Sequence, residues 1–550
     1  MEFTDIKQVD CDVLIIGGGG AALRAAIEAE ELGARVAIVS KSPIGYGNNT
    51  IISAGIFAAT GWGDRTDDTQ VHLTDTVKGG RWLNDQKMVS LAVNEATSQV
   101  PFLEKCGVQF VKKEGQIRLG HTPGHTHPRH ISTIRRGGRG LILPLVETAK
   151  SRNIDHYSRV FITRLLAENN SILGAVGLSA DGQLIVFAAK SVLLTTGGYA
   201  QVYQKTNNAM GITGDGHMLA HDLGVPLKDM EFVQFYPTSL GKSGRKTILY
   251  EVVVATLGAR LKNSLDENIL EKHGMTERIQ MTRDRVARAA MEEINAGNDV
   301  EGGIILDLSP VENKGRLKAF LPESWTEAQT ELIVSPTTHF CMGGVVVNDR
   351  LETSIEGLYA AGEICAGVHG ANRLGGNALA EVFALAGVAV RNAVSRSEQI
   401  PLPEISDKMV AAEKSRLIGL FKNTALSQKT VRDSLKKVMW SKAGIIRQGD
   451  ELQQALGEID KLEEKKKDVK VESVEDLIQF LELTNLISIS RIICQTALKR
   501  TESRGAHYRS DYPTEDNDNW LKNIVVQKTA SAPVLETIPV LTETVPYSSS

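Results

Sequence analysis

Arg373 lies between two groups of glycines in the stretch Gly357–Leu379, which packs an Ala360-Ala361-Gly362-Glu363 turn and an Asn372-Arg373-Leu374-Gly375-Gly376-Asn377 turn. Small residues here let backbone N–H groups approach a flat, anionic ligand closely, and glycine tolerates the backbone angles that such loops need. A guanidinium beside that approach is placed to clamp a carboxylate with two parallel hydrogen bonds, whereas on an open loop it is simply solvated. His339, just ahead of the stretch, reads equally as a ligand or as a satisfied core residue. Arg283 leads Arg283-Asp284-Arg285 at the start of a helix, where the dipole disfavours a cation, and that exception points to function. A run of His121, His125, His127 and His130 suggests a metal tract at first. Its spacing is irregular, Pro123, Gly124 and Pro128 break it, and no Cys or carboxylate joins it. No metal is therefore expected, and a solvated or substrate-covering loop is.

These residues need a scaffold. Asp12 to Ile16 reads as a buried parallel strand, followed by Gly17-Gly18-Gly19-Gly20-Ala21-Ala22 and a helical run from Leu23 to Leu32. The pattern G-x-G-x-x-G/A runs through Gly17, Gly19 and Ala22 in a strand–turn–helix context, which is the dinucleotide-binding arrangement. A second strand, Arg35 to Val39, ends in Ser40-Lys41 where many such folds carry an acid for the ribose. The polar, glycine-punctuated segment from Gly45 to Gly55 suits wrapping of a flavin ring and chain. Val160 to Leu165, Gly174 to Ser179 and Gln183 to Phe187 read as a small antiparallel set, with a separate strand from Ser191 to Leu194. Thr213-Gly214-Asp215-Gly216 opens a helix from His217 to Leu223 and puts a carboxylate at its N-terminus, either as an ordinary cap or as a ligand.

The expected fold class is α/β, a Rossmann-like nucleotide-binding domain with an inserted α+β capping domain and a C-terminal helical domain. The expected boundaries are 1–231 and 336–397 for the two parts of the first domain, 232–335 for the cap and 398–500 for the helices. Residues 501–550 form a C-terminal segment with a disordered tail from about Ala530.

The chain has 550 residues and a net charge of −4, so several domains are expected and no electrostatic footprint for nucleic acid or anionic membrane is present. The five cysteines are scattered without C-x-x-C spacing, which suggests neither a disulfide framework nor a metal cluster and fits a reducing compartment. Neither a signal peptide nor an 18-residue apolar run is read from the sequence, so a cytoplasmic protein without direct membrane insertion is expected, with any membrane association made through partner subunits.

From about Val13 to Val526 the chain resembles the flavoprotein subunit of succinate dehydrogenase and fumarate reductase, together with its relative L-aspartate oxidase. GGGGAALRAA, TTGG, TGDG, QFYPT, RDRVARA, TTHFCMGG, AAGE, HGANRLGGNAL and SRGAHYRSDYP carry the resemblance in one order. It implies bound FAD, a capping domain, an iron–sulfur partner subunit, and hydride transfer to or from a C=C or CH–CH unit beside a carboxylate in a small substrate. The implied FAD contacts are Gly17, Gly19, Gly20 and Ala22 in the first turn, then Lys41, Thr50, Gly55 and Asp215. Glu363, Ala378 and Leu379 complete them, with Ser40 and Asn49 added by their position beside these residues. His339 and Arg373 are the implied substrate ligands, Arg283 moves the proton, and Glu251 is its relay carboxylate.

The departures carry information too. Relatives with covalent flavin show Ser-His-Thr where this chain has Asn48-Asn49-Thr50, so no histidine is available there and FAD is expected to be noncovalent. Tyr236 replaces the histidine of Gln-Phe-His-Pro-Thr, and Tyr250-Glu251-Val252-Val253-Val254-Ala255-Thr256-Leu257 replaces Thr-Glu-x-x-Arg-Gly-Glu-Gly. Tyr236 and Tyr250 thus stand where one substrate carboxylate is held, and a phenol donates one hydrogen bond without a positive charge. Fumarate/succinate chemistry is the family default. An L-aspartate oxidase-like enzyme, a reductase of a substituted enoate, and an electron-transfer subunit without a substrate of its own compete with it.

Overall fold

Apolar runs Val13 to Ile16, Val36 to Val39, Leu184 to Ala189 and Val192 to Leu194 are buried on both faces, as strands inside a parallel sheet must be. In the computed structural model, which describes residues 3–63, 65–135, 137–241, 244–529 and 533–547, they form the centre of a seven-stranded sheet. Its order is Ile154–Ser158, Val36–Ser40, Thr4–Ile16, Gln183–Leu194, Ser171–Ser179 and Val160–Glu168, with Leu358–Ala360 also paired to Gln183–Leu194. The first four strands are mutually parallel and the last two are antiparallel. Gln183–Leu194 is one strand of 12 residues, not the two read from sequence, so the antiparallel set is an extension of the main sheet.

Helix Gly20–Glu31 follows the first strand, and helix Asn377–Ser397 packs against it. A second, five-stranded sheet runs in the order Lys246–Thr247, Val233–Leu240, Glu331–Cys341, Ile304–Asp307 and Arg260–Lys262. Helix Arg283–Asn295 lies on it, over a separate hydrophobic core that includes Leu261, Val286, Ala290 and Leu306.

Helices Asp407–Ile418, Gln428–Lys442, Gly449–Lys466 and Val474–Lys499 follow. The last begins at a capping box in which the Ser473 hydroxyl accepts from Asp476 N and the Asp476 carboxylate accepts from Ser473 N. Asn377–Ser397 and Val474–Lys499 are long and apolar enough to cross a membrane, but both are mostly buried inside the molecule.

The expected disordered tail is corrected by the structure. Val534–Pro539 pairs antiparallel with Lys522–Gln527 in a four-stranded sheet, and Val545 is buried further on. The backbone groups of Val545 and the Gln86 side chain satisfy each other, which accounts for order in a Pro- and Thr-rich segment. Residues 530–532 and 548–550 of that tail lie outside the described residues.

Candidate active site

The two sheets meet around a cavity of about 520 Å³. One side is the glycine turn ahead of helix Gly20–Glu31. Gly17 has φ of 141°, and a Cβ there would lie 2.4 Å from the carbonyl oxygen of Thr195, so only glycine lets this turn close against the neighbouring strand. Gly19 caps the helix without any side-chain hydrogen bond, and Gly20 N donates to Thr50 Oγ1 at 3.1 Å. A helix N-terminus facing a cavity in this way accommodates an anionic group. Gly17, Gly19, Gly20, Ser40, Lys41, Asn49, Thr50 and Gly55 all line the cavity, whereas Ala22 is fully buried behind it in the helix.

Lys41 Nζ donates to Thr213 Oγ1 at 2.7 Å, Asp215 Oδ2 at 2.6 Å and Glu482 Oε1 at 2.7 Å. Burial works against this cation, and Asp215 and then Glu482 outweigh it, so its pKa is raised. Asn485 donates to the other oxygen of Asp215. The helix Val474–Lys499 therefore reaches the edge of the cavity, a role of which its periodic apolar sequence gives no sign. Asp215 itself begins helix Asp215–Asp222, two residues earlier than the sequence suggests.

At the far side, Glu363, Ala378 and Leu379 line the wall. Asn49 Nδ2 donates to Glu363 Oε2 at 3.0 Å and to Asn208 Oδ1 at 2.6 Å, while Asn49 Oδ1 accepts from Ala209 N. Asn49 is thus woven into the wall by three partners. Burial pushes the Glu363 carboxyl up to about 7. Thr196 Oγ1, also on the lining, is buried without a hydrogen-bond partner among the described residues. An open helix N-terminus, an orphaned hydroxyl and a glycine-lined wall together fit a dinucleotide cofactor laid along this side.

The polar end of the cavity gathers Tyr236, Glu251, Arg283, His339 and Arg373. Arg283 Nε and Nη2 donate to Glu251 Oε1 at 2.9 and 2.8 Å, and Tyr236 donates its hydroxyl to Glu251 Oε2 at 2.5 Å. The Arg283 guanidinium also stacks over the Tyr236 ring at 5.0 Å. Burial opposes the Arg283 charge and Glu251 more than restores it, so its pKa is raised. Arg373 Nη2 and Arg283 Nη1 both donate to Gln234 Oε1, at 3.1 and 3.3 Å. Arg373 Nε has no partner among the described residues, and burial followed by the Arg283 charge pushes its pKa down. His339 Nδ1 meets the Asn207 amide at 2.9 Å; burial first, then Arg283 and Arg373, hold its pKa well below the usual imidazole value.

Gln234 bridges the two arginines and is not singled out by the sequence reading. The signal is present, since a buried glutamine stands between Val233 and Phe235 on one strand, just after Phe232. Tyr250, expected at the substrate, is corrected. It is absent from the lining, donates its hydroxyl to Met281 O at 2.8 Å, and packs edge-on against Tyr236 from behind.

The histidine run, expected as a solvated or substrate-covering loop, is solvated only in part: His121, Thr126 and Pro128 are exposed, while Thr122 and His130 line the cavity. His125 and His130 are buried and both approach Gly375 O at 2.8 Å, while Arg129 is fully buried between Asp67 and Asp75. Burial holds His130 at about 4, so it is neutral under the glycine turn it supports. Among the described residues no group of three or more His, Cys, Asp or Glu is arranged to hold a metal ion.

Comparison with known proteins agrees with this architecture. Residues 12–379 match the FAD binding domain family, and residues 432–549 match the fumarate reductase flavoprotein C-terminal family. The chain is 36% identical over 540 residues to a fumarate reductase (CoM/CoB) subunit of Methanothermobacter marburgensis, covering 94% of this chain and 97% of that protein. It is 31% identical over 560 residues to the mitochondrial succinate dehydrogenase flavoprotein subunit of Oryza sativa, covering 93% and 87%. Among solved structures, a mutant FrdA of E. coli quinol fumarate reductase superposes with a TM-score of 0.92 at 28% identity, covering 98% of this chain and 99% of that one. Mycobacterium smegmatis Sdh1 superposes with a TM-score of 0.87 at 31% identity, covering 98% and 96%. The chain therefore belongs to the family of FAD-binding flavoprotein subunits of fumarate reductase and succinate dehydrogenase, and it is an FAD-dependent oxidoreductase of that type.

Proposed function

We propose that this chain reduces or forms a carbon–carbon double bond next to a carboxylate, with fumarate/succinate as the family default, and exchanges electrons with an iron–sulfur partner subunit. The observation that carries the assignment is the Gln234 bridge. It brings an ion-paired arginine, Arg283, and an arginine with an orphaned Nε, Arg373, to the same end of the cavity. The glycine turn, Asn49, Thr50 and the Glu363 wall would hold FAD, which would supply the hydride acceptor or donor.

The chain's own residues do the rest. Arg373, with an unspent N–H, holds the substrate carboxylate, and neutral His339, fixed at Nδ1 by Asn207, presents Nε2 beside it. Together they draw electron density from the double bond, so that its distal carbon accepts hydride. Arg283 delivers or removes the proton at the neighbouring carbon. An arginine is a poor acid, so it needs a partner that returns the proton, and Glu251 contacts it through two N–H groups. Tyr236 locks the opposite oxygen of Glu251 and thereby fixes the relay in place.

The five cysteines are buried and unpaired and form no cluster-binding group among the described residues, which supports an electron partner on another chain. The test is Arg283→Lys. Single-turnover oxidation of the reduced flavin by substrate is expected to slow by about 10²- to 10⁴-fold with FAD content unchanged. Near-normal rates in that variant would remove Arg283 from the mechanism.

A further inference from the structure

We infer that the cavity takes an α,β-unsaturated monocarboxylate with an uncharged far end, or the saturated acid derived from it, in preference to a dicarboxylate; this rests on the function proposed above. The inference starts from a charge count at the polar end. Arg283 is already matched by Glu251 through two hydrogen bonds. His339 is neutral there, so it adds no cation. Arg373 is left as the one buried guanidinium on the lining without a carboxylate in contact among the described residues, and it neutralises one substrate carboxylate.

The opposite end has nothing comparable among the described residues. The Tyr236 hydroxyl has one proton and spends it on Glu251, and the Tyr250 hydroxyl spends its own on Met281 O. Leu249 and Val252 stand in the wall beside Glu251. Arg245, a further cation on the lining, is exposed at the mouth with its Nη2 against the sulfur of Met210, where solvent screens it. A second substrate carboxylate would thus be buried against aliphatic groups and the acceptor oxygens of Glu251, without a counter-charge. An alkyl, ester or amide group in the same place meets no such penalty.

The chemistry balances in either direction. Reduction breaks the C=C π bond and forms two C–H bonds, one from a hydride carrying both electrons and one from a proton delivered through Arg283. The hydride comes from reduced FAD, which the external electron donor must restore. Oxidation of the saturated acid reverses each of these steps.

The experiment uses the FAD-loaded chain, reduced anaerobically with dithionite and mixed in a stopped-flow instrument with fumarate, monomethyl fumarate, crotonate and crotonamide. Monomethyl fumarate has the skeleton of fumarate with one charge removed, and crotonamide lacks the carboxylate altogether. The expected result is that monomethyl fumarate or crotonate reoxidises the flavin at least about tenfold more efficiently than fumarate, with crotonamide inert. Fumarate as efficient as the monocarboxylates would overturn the inference while leaving the proposed function standing. Crotonamide as efficient as crotonate would overturn the single-carboxylate clamp. Silence with all four compounds would overturn both the inference and the function beneath it.

Discussion

At the scale of single residues, the site depends on groups kept in unusual charge states by burial. Glu363 shows this most clearly, because its carboxyl is pushed from 4.5 up to about 7. Over that window the folded chain holds a proton that the unfolded chain has lost. Its contribution to stability is therefore full below about 4.5 and disappears as pH rises through about 7. Asp229, raised to about 7 by burial and by Glu231, acts in the same sense. Glu363→Gln removes one of these two protons from the balance. In the FAD-stripped chain it is expected to flatten the fall in unfolding free energy between about pH 5 and pH 8, by at most about 3 kcal/mol. Thermal scans across that range check it, and an unchanged pH profile would place the Glu363 carboxyl outside the titrating set.

At the scale of elements, the C-terminal strap shows how a segment with a disorder-prone composition becomes ordered. The turn after helix Thr69–Gly79 carries two consecutive non-glycine residues in the left-handed region, Arg81 at φ 56° and Trp82 at φ 58°. Something must hold them there. Trp82 Nε1 donates to Pro546 O, the Tyr547 ring packs edge-on to Trp82 at 5.2 Å, and Asn517 donates to the Tyr547 hydroxyl at 2.6 Å. Tyr547→Ala is expected to cost about 1–3 kcal/mol locally. Amide hydrogen exchange in helices Thr69–Gly79 and Gln86–Ala96 should rise in that variant, and unchanged protection would show that the strap does not brace them.

The same scale explains what the sequence can and cannot reveal. The glycine turn, the wall around Glu363 and the helix led by Arg283 are legible because each is a local pattern whose residue types have few other uses. Gln234, Glu482 and Asn485 are not, because their roles exist only where strands and helices far apart in the chain meet, as Lys41 meets Glu482. Tyr250 is misplaced for a related reason. Its position in the chain says nothing of which way its ring turns, and the carbonyl of Met281 captures its hydroxyl. The histidine run reads as a solvated or substrate-covering loop because of its prolines and glycines, and the Arg129 ion pairs draw its buried half under the Gly375-Gly376 turn. Strand lengths are blurred where Gln183–Leu194 continues past Lys190, a charged residue whose ammonium finds Asp12 at 2.9 Å.

At the scale of the whole molecule, a nucleotide-binding sheet and a second sheet with its own core line the cavity, and a helical module braces its edge through Glu482 on Lys41 and Asn485 on Asp215. The cavity wall offers Asn49, whose amide is no nucleophile for attachment to a flavin, and Asn49 is held by Glu363, Asn208 and Ala209. Acid denaturation is therefore expected to release all the flavin into the supernatant, and a yellow pellet that survives washing would contradict noncovalent binding. The measurement that tests the central claim most directly is the anaerobic flavin spectrum of the isolated FAD-loaded chain, reduced chemically and then given an enoate with no partner protein present. Prompt return of the oxidised flavin spectrum, with one equivalent of saturated acid formed per flavin, is the predicted result. A spectrum that stays reduced with every enoate offered would mean that this chain only passes electrons and does no chemistry on a substrate of its own.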